Sequence, residues 1–175
     1  MQKLRVVLFV LLPLVLARGA SYSQWIQTGF PTTSVSCLAA KEGNLFAGTW
    51  GHGVYRSTDN GTSWTGVNNG LPVIWIYALA VVPYSGGGGG TNLFAGTENG
   101  GVYRSTDNGA SWAAVNSGLG SGISIVTLGV AGSTLLAGCA TQPGMNGVYR
   151  SVNDGGTWTR CNTGFVNSAD SSVEA

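Results

Sequence analysis

The sequence predicts an all-β protein: a β-propeller fragment of about three four-stranded antiparallel blades forming an open arc. Three observations carry the prediction. One unit is written three times, at residues 45–72, 93–120 and 135–165. Its tryptophans Trp64, Trp112 and Trp158 fall 48 and 46 residues apart, within the period of about 40–50 residues expected for one propeller blade. The composition has 29 Gly and only 9% charged residues, with 43% hydrophobic. That leaves too few charges for the outer faces of a helical bundle and too much apolar matter for a disordered chain. Finally, nothing in the body keeps a 3.6-residue period, so essentially no helix is expected there.

The N-terminus reads as an address. Lys3 and Arg5 precede an apolar run from Val6 to Leu16, and small and polar residues follow from Ala17 to Gln24. This is the order of a secretory signal peptide. Cleavage after Gly19, Ser21 or Ser23 fits, with Ser23 preferred, so residues 1–23 are assigned to the signal. The alternative is an N-terminal anchor, but 11 apolar residues are too few to cross a hydrocarbon layer of about 30 Å. An exported protein is therefore expected (secreted, periplasmic or on the cell surface), with no stable membrane span after cleavage. Export removes Lys3, Arg5 and Arg18, leaving five basic against seven acidic residues. No basic stripe remains, so nucleic acid is not an expected partner.

Residues 24–165 are the blades. The segment Gln24-Trp25-Ile26-Gln27-Thr28-Gly29-Phe30 aligns with Thr157–Phe165, so the chain opens on a lone fourth strand. The first strands are expected at Ser34–Ala40, Val73–Val82 and Ile123–Ala131. The second strands fall at Asn44–Thr49, Asn92–Thr97 and Thr134–Cys139. The third strands fall at Gly53–Ser57, Gly101–Ser105 and Gly147–Ser151, and a fourth opens at each Trp. Gly, Asn, Asp or Pro marks every joint, as tight turns require. Residues 166–175 resemble the start of another first strand, so an incomplete propeller and a poorly packed tail are expected. Three blades span too little arc for a ring of four to eight, unless self-association closes it.

The joint between third and fourth strands is the most specific feature. It reads Ser57-Thr-Asp59-Asn-Gly61-Thr-Ser-Trp64, then Ser105-Thr-Asp107-Asn-Gly109-Ala-Ser-Trp112, then Ser151-Val-Asn153-Asp-Gly155-Gly-Thr-Trp158. An Asp or Asn side chain bonds backbone N–H groups of a turn, the Gly takes a left-handed conformation, and the Trp buries a large surface between sheets. The pattern Ser-x-Asp-x-Gly-x-x-Trp resembles the Asp-box, or BNR, repeat. The resemblance covers almost all of the chain after the signal and implies a propeller. It does not choose an activity, because such propellers occur in sialidases, xyloglucan-cleaving glucanases, sortilin-type receptors and a photosystem II assembly factor. The third copy departs from the pattern with Asn153, which still accepts the turn hydrogen bonds.

Catalysis finds little support. A glycosidase needs two carboxylates roughly 5–9.5 Å apart. Asp59, Asp107 and Asp154 lie in turns, Asp170 and Glu174 in the tail, and Glu42 and Glu98 on loops at opposite ends of their blades. Arg56, Arg104 and Arg150 fill one repeated Tyr-Arg-Ser slot, which suits a structural role better than one active site. His52 is the only His, so a multi-His metal site is excluded and no cofactor is implied. Gly86–Gly90 lacks the Lys-Ser/Thr and helix of a phosphate loop and reads as a tether. Asp59-Asn60-Gly61 lacks the register of a calcium loop. Cys139 and Cys161 are two strands apart and Cys37 lies two blades earlier, so three free thiols are expected.

Two functions remain. One is a secreted, non-catalytic scaffold that binds a protein or a carbohydrate. The other is a fragment of a glycoside hydrolase, sialidase- or xyloglucanase-like, whose catalytic residues lie outside this chain. In either case specificity belongs on the blade end that varies between repeats. That end carries Trp50 and His52, then Glu98 and Asn99, then the loop Gln142–Asn146, with Trp75 opening an inner strand beside them.

Overall fold

A computed structural model describes Phe30 and residues 34–72, 75–86, 90–139 and 147–163. The predicted signal peptide, the strand around Trp25, the tail 166–175 and Asn146 lie outside these residues. The described residues form twelve strands and no helix. Blade 1 holds β1 (Val35–Lys41), β2 (Asn44–Thr49), β3 (Val54–Ser57) and β4 (Thr65–Gly66). Blade 2 holds β5 (Ile76–Pro83), β6 (Thr91–Thr97), β7 (Gly101–Ser105) and β8 (Ala113–Ala114). Blade 3 holds β9 (Ile125–Ala131), β10 (Thr134–Cys139), β11 (Gly147–Ser151) and β12 (Thr159–Arg160). Each blade is one antiparallel sheet in sequence order. The first strands line up, β1 against β5 and β5 against β9, and the arc does not close.

Two boundaries differ from expectation. First strands begin later than the apolar runs do: β1 at Val35, β9 at Ile125, and β5 at Ile76 with residues 73 and 74 outside the described set. The fourth strands begin one residue after each Trp and are two residues long. At blades 2 and 3 the reason is visible. The backbone N–H of Trp112 bonds Asn69 O at 2.9 Å and that of Trp158 bonds Ser117 O at 2.8 Å. These N–H groups are spent on the preceding blade rather than on their own sheet.

The three turns are built alike. Ser57 Oγ donates to Asp59 Oδ1 at 2.8 Å and accepts from the Gly61 N–H at 2.8 Å. The Asp59 carboxylate accepts from the backbone and hydroxyl of Ser63 at 2.9 and 2.6 Å. Ser105, Asp107, Gly109 and Ser111 repeat this set. In the third turn Asn153 Oδ1 accepts from Ser151 Oγ and the Thr157 N–H, both at 2.9 Å, and its amide nitrogen donates to Thr157 Oγ1. Gly61, Gly109 and Gly155 sit at φ 89°, 82° and 79°, where a side chain is strained. The bonds from Ser63 and Ser57 hold the Asp59 carboxyl down at about 2. At Asp107 burial opposes the charge, but Ser111 and Ser105 outweigh it and the carboxyl also lies below its usual range.

Each internal junction repeats one set of contacts. Trp112 and Trp158 are buried, and their indole N–H groups donate to Val67 O at 2.8 Å and Val115 O at 2.7 Å in the blade before. Arg56 donates forward to Asn108 O at 3.0 Å, and Arg104 to Asp154 O at 3.1 Å. Lys41 bonds Asn108 Oδ1, and Ser85 bonds the Asp154 carboxylate. Between these polar ties lie two apolar clusters. One is centred on Phe46, Val54, Leu93 and Trp112, the other on Phe94, Val102, Leu135 and Trp158. Trp64 departs from this pattern. It is only half-buried, its indole turns back to its own Gly61 O at 3.1 Å, and Phe30 packs edge-on against it. All three cysteines are free, and burial pushes the Cys37 and Cys139 thiols up.

Candidate functional site

The bonds just described place the first-to-second and third-to-fourth strand turns at one end of the arc. Lys41 and Ser85 of the former reach Asn108 and Asp154 of the latter. The opposite end carries the second-to-third strand loops and the links between blades. There Trp50 follows β2 and is anchored by its N–H on Ser34 O at 3.0 Å. Trp75 precedes β5, and its carbonyl accepts from the Glu98 N–H at 3.1 Å. Residues 25 positions apart in sequence thus meet across the first junction. The indoles of Trp50 and Trp75 stack with centroids 6.3 Å apart and planes 27° apart. Both face solvent, 52% and 43% exposed.

A polar border adjoins the pair. Tyr77 on β5 donates its hydroxyl to Glu98 Oε1 at 3.1 Å, and burial together with Glu98 raises the Tyr77 pKa. Asn99, in a left-handed conformation at φ 52°, receives Ser124 Oγ on its side-chain oxygen and donates its N–H to the same hydroxyl at 2.8 Å. His52 lies exposed in the loop after Trp50. The fold therefore gathers Trp50, Trp75, Glu98 and Asn99 along one strip, with His52 at its side. Asn146 and the rest of the third loop lie outside the described residues.

The residues that shape these loops are ones the motif reading passed over. Asn68 accepts the Val54 N–H at 2.7 Å and donates to His52 O at 3.2 Å. Asn116 likewise accepts the Val102 N–H at 2.7 Å and donates to Gly100 O at 2.9 Å. Asn162 accepts the Val148 N–H at 2.8 Å. A Cβ on Gly53, Gly101 or Gly147 would overlap the amide of its Asn. The signal was present in the sequence: each Asn stands four residues after its Trp.

Glu98 is the one carboxylate at this end among the described residues. Glu42 lies at the other end, bonded to Thr91 Oγ1 at 3.0 Å and to Lys41 at 3.4 Å. Those bonds, Thr91 first, lower its pKa. Asp59, Asp107 and Asp154 belong to the turns. A single carboxylate does not supply the acid and the nucleophile or base of glycoside cleavage. Among the described residues no three His, Cys, Asp or Glu side chains gather as a metal group. No helix among them is long and apolar enough to cross a membrane.

No protein-family model matches the sequence, and no curated protein matches it. Solved structures do. The chain resembles an ancestral GH74 enzyme with a TM-score of 0.60 and 25% identity, over 73% of this chain and 18% of that one. It resembles the GH74 enzyme of Niastella koreensis with a TM-score of 0.57 and 26% identity, over 73% of this chain and 21% of that one. The GH74 xyloglucanase of Xanthomonas campestris matches in fold, with a TM-score of 0.53 and 23% identity over 70% of this chain and 21% of that one. The chain spans about a fifth of the length of these enzymes. The likeness agrees with a propeller fold built from separate four-stranded blades.

Proposed function

We propose that this chain is a stretch of an exported β-propeller that binds a glycan at the end of the blades carrying Trp50 and Trp75. One observation carries the reading: two indoles stacked 27° from parallel and left in solvent at a junction where Phe46 and Trp112 are buried. A pyranose ring has an apolar C–H face and a rim of hydroxyls. Flat exposed indoles suit the face, while Glu98, Asn99 and His52 suit the rim. Export rests on the signal-like order of residues 1–23, and the Ser-x-Asp-x-Gly-x-x-Trp turns support an Asp-box scaffold. The role in this chain alone is binding, because the strip offers one carboxylate.

A second reading is favoured by the likeness to GH74 enzymes at 25% and 26% identity. Under it the chain is part of a glycoside hydrolase, and the same strip is a portion of a substrate groove completed by blades beyond it. One titration tests the binding that both readings share. Xyloglucan, β-glucan and sialoside oligosaccharides are added to the exported protein, followed by tryptophan fluorescence and calorimetry. A glucan is expected to quench and bind. Trp50→Ala and Trp75→Ala should each weaken binding about tenfold, roughly 1.4 kcal/mol. Equal affinity in the parent and both variants overturns the site. Hydrolysis of xyloglucan by a longer protein containing these blades, lost on removing a carboxylate outside this chain, favours the second reading.

A further inference from the structure

The connection between the first and second strands differs between blades 1 and 2. In blade 1 Glu42 and Gly43 join β1 to β2. The Asn44 amide caps that turn, donating to Lys41 O and Glu42 O, both at 3.3 Å. Leu45 stands opposite Ser57 and Leu93 opposite Ser105, so Asn92 is the counterpart of Asn44 in blade 2. There residues 84–90 separate β5 from β6, and Asn92 finds no such carbonyls. Asn92 is 4% exposed, and its amide nitrogen is the one buried side-chain nitrogen or oxygen without a hydrogen-bond partner among the described residues. An amide N–H buried in this way has given up its bonds to water and received nothing in return.

Asn92 lines a cavity of about 410 Å³, a volume that suits a small molecule better than a single ion. The rest of the lining is Tyr84, Gly90, Thr91, Arg104 and Thr106. All of it comes from blade 2, the blade with a described neighbour on each side. The walls are held in place. The Tyr84 N–H bonds Gly90 O at 2.8 Å, and the Ser85 N–H bonds the Asp154 carboxylate of blade 3 at 3.2 Å. Arg104 is the one charged residue of the lining. Its guanidinium donates to Asp154 O at 3.1 Å and makes no ion pair among the described residues. The carboxylates bonded around the cavity are engaged elsewhere. Asp154 accepts from the Ser85 N–H and hydroxyl, and Glu42 from Thr91 Oγ1 and Lys41.

We propose that this cavity binds the carboxylate of a small hydroxylated acid, of which a uronic acid is the simplest form. An ionised carboxylate offers acceptors only. One of its oxygens takes the stranded Asn92 N–H, and the Arg104 guanidinium holds the group through charge-assisted bonds. A neutral ligand would satisfy the amide and leave the guanidinium without a counter-charge. A phosphate carries more charge than one guanidinium balances, and no second cation lines the cavity. Tyr84 and Thr106, both exposed at the rim, suit the hydroxyls of the acid's body. The same chemistry is offered by a free acid and by a uronosyl residue within a glycan. The site lies at the turn end of the blades, opposite the Trp50–Trp75 strip, and does not rest on that strip binding a glycan.

Calorimetry on the exported protein, with glucuronate, glucose, inorganic phosphate and an oligogalacturonate as probes, tests this. At least one of the two uronates is expected to bind, and glucose and phosphate to bind about tenfold more weakly or less. Tighter binding of the oligogalacturonate identifies a uronosyl residue of a glycan as the source, and tighter binding of glucuronate a free acid; either result supports the site. Arg104→Gln should weaken uronate binding about tenfold. Asn92→Leu keeps the size of the side chain and removes the stranded amide. It should weaken binding in the same direction while raising the melting temperature of the ligand-free protein. A lower melting temperature for Asn92→Leu overturns the proposal, since the amide would then have a partner within the chain. Uronate affinity unchanged in both variants overturns it too. So does glucose or phosphate binding as tightly as the uronates, and so does no binding of either uronate, which leaves the cavity to water.

Discussion

Trp64 and Trp112 occupy the same place in the same turn, seven residues past the end of the same Gly-Val-Tyr-Arg-Ser strand, and live in different surroundings. Trp112 is 5% exposed and ties both its N–H groups to the blade before. Trp64 is half-buried and bonds its own turn. The two turns share the hydrogen bonds made by their Ser, Asp and Gly. The turn therefore places the indole, and the neighbouring blade determines how much the indole contributes. Stability in this architecture accumulates at junctions, as in other arrays whose repeats touch only their neighbours.

The largest effect that tests this contrast comes from the tryptophans. Trp112→Ala should cost about 3–5 kcal/mol, the range for a buried aromatic. Trp64→Ala should cost about 1–2 kcal/mol, since less area is withdrawn from water. Urea unfolding of each variant beside the parent measures both. Equal costs would mean that the turn rather than the junction holds the indole. A smaller effect sharpens the comparison. Asn68→Ala and Asn116→Ala each strand a backbone N–H inside one blade, at about 1–3 kcal/mol. Because that bond crosses no junction, the two costs should agree even though the tryptophan costs do not.

Acid gives the smallest effect. The Asp59 pKa, at about 2, is below the ordinary carboxylate value of about 4, and Asp107 is shifted the same way. The stability from their ionised forms is complete above the ordinary value and disappears as pH falls through the folded value. Asn153 does not titrate. Between about pH 4 and 2, amide exchange should therefore show protection failing at Ser63 and Ser111 while Thr157 keeps its protection. Loss in all three turns together would tie acid sensitivity to the junctions instead.

The repeat made most of this fold legible. The second and third strands fall within one residue of their predicted bounds, because Gly and Asn mark their ends and the apolar pattern repeats between them. The short fourth strands were not legible, since the bonds that shorten them come from carbonyls of another blade, some forty residues away. The same distance hid the direction of Arg56 and Arg104. Trp50 and Trp75 could be placed at one end by counting strands, but their stacking depends on the angle between blades 1 and 2, which no local pattern encodes. The repeated Asn was visible but uninterpreted, because its partner is a backbone N–H fourteen residues upstream.

The ties across each junction end mainly on main-chain oxygens: Val67, Asn69, Val115, Ser117, Asn108 and Asp154. A main-chain acceptor is present whatever residue stands there, so the joint is indifferent to sequence at those positions. Copying a whole repeat and splicing it beside its parent would supply every acceptor the new neighbour needs without a compensating substitution. A gene encoding such blades can lengthen by unequal recombination and still fold. Its loops can then diverge one blade at a time, at the end of the arc opposite the turns that Arg56 and Arg104 reach.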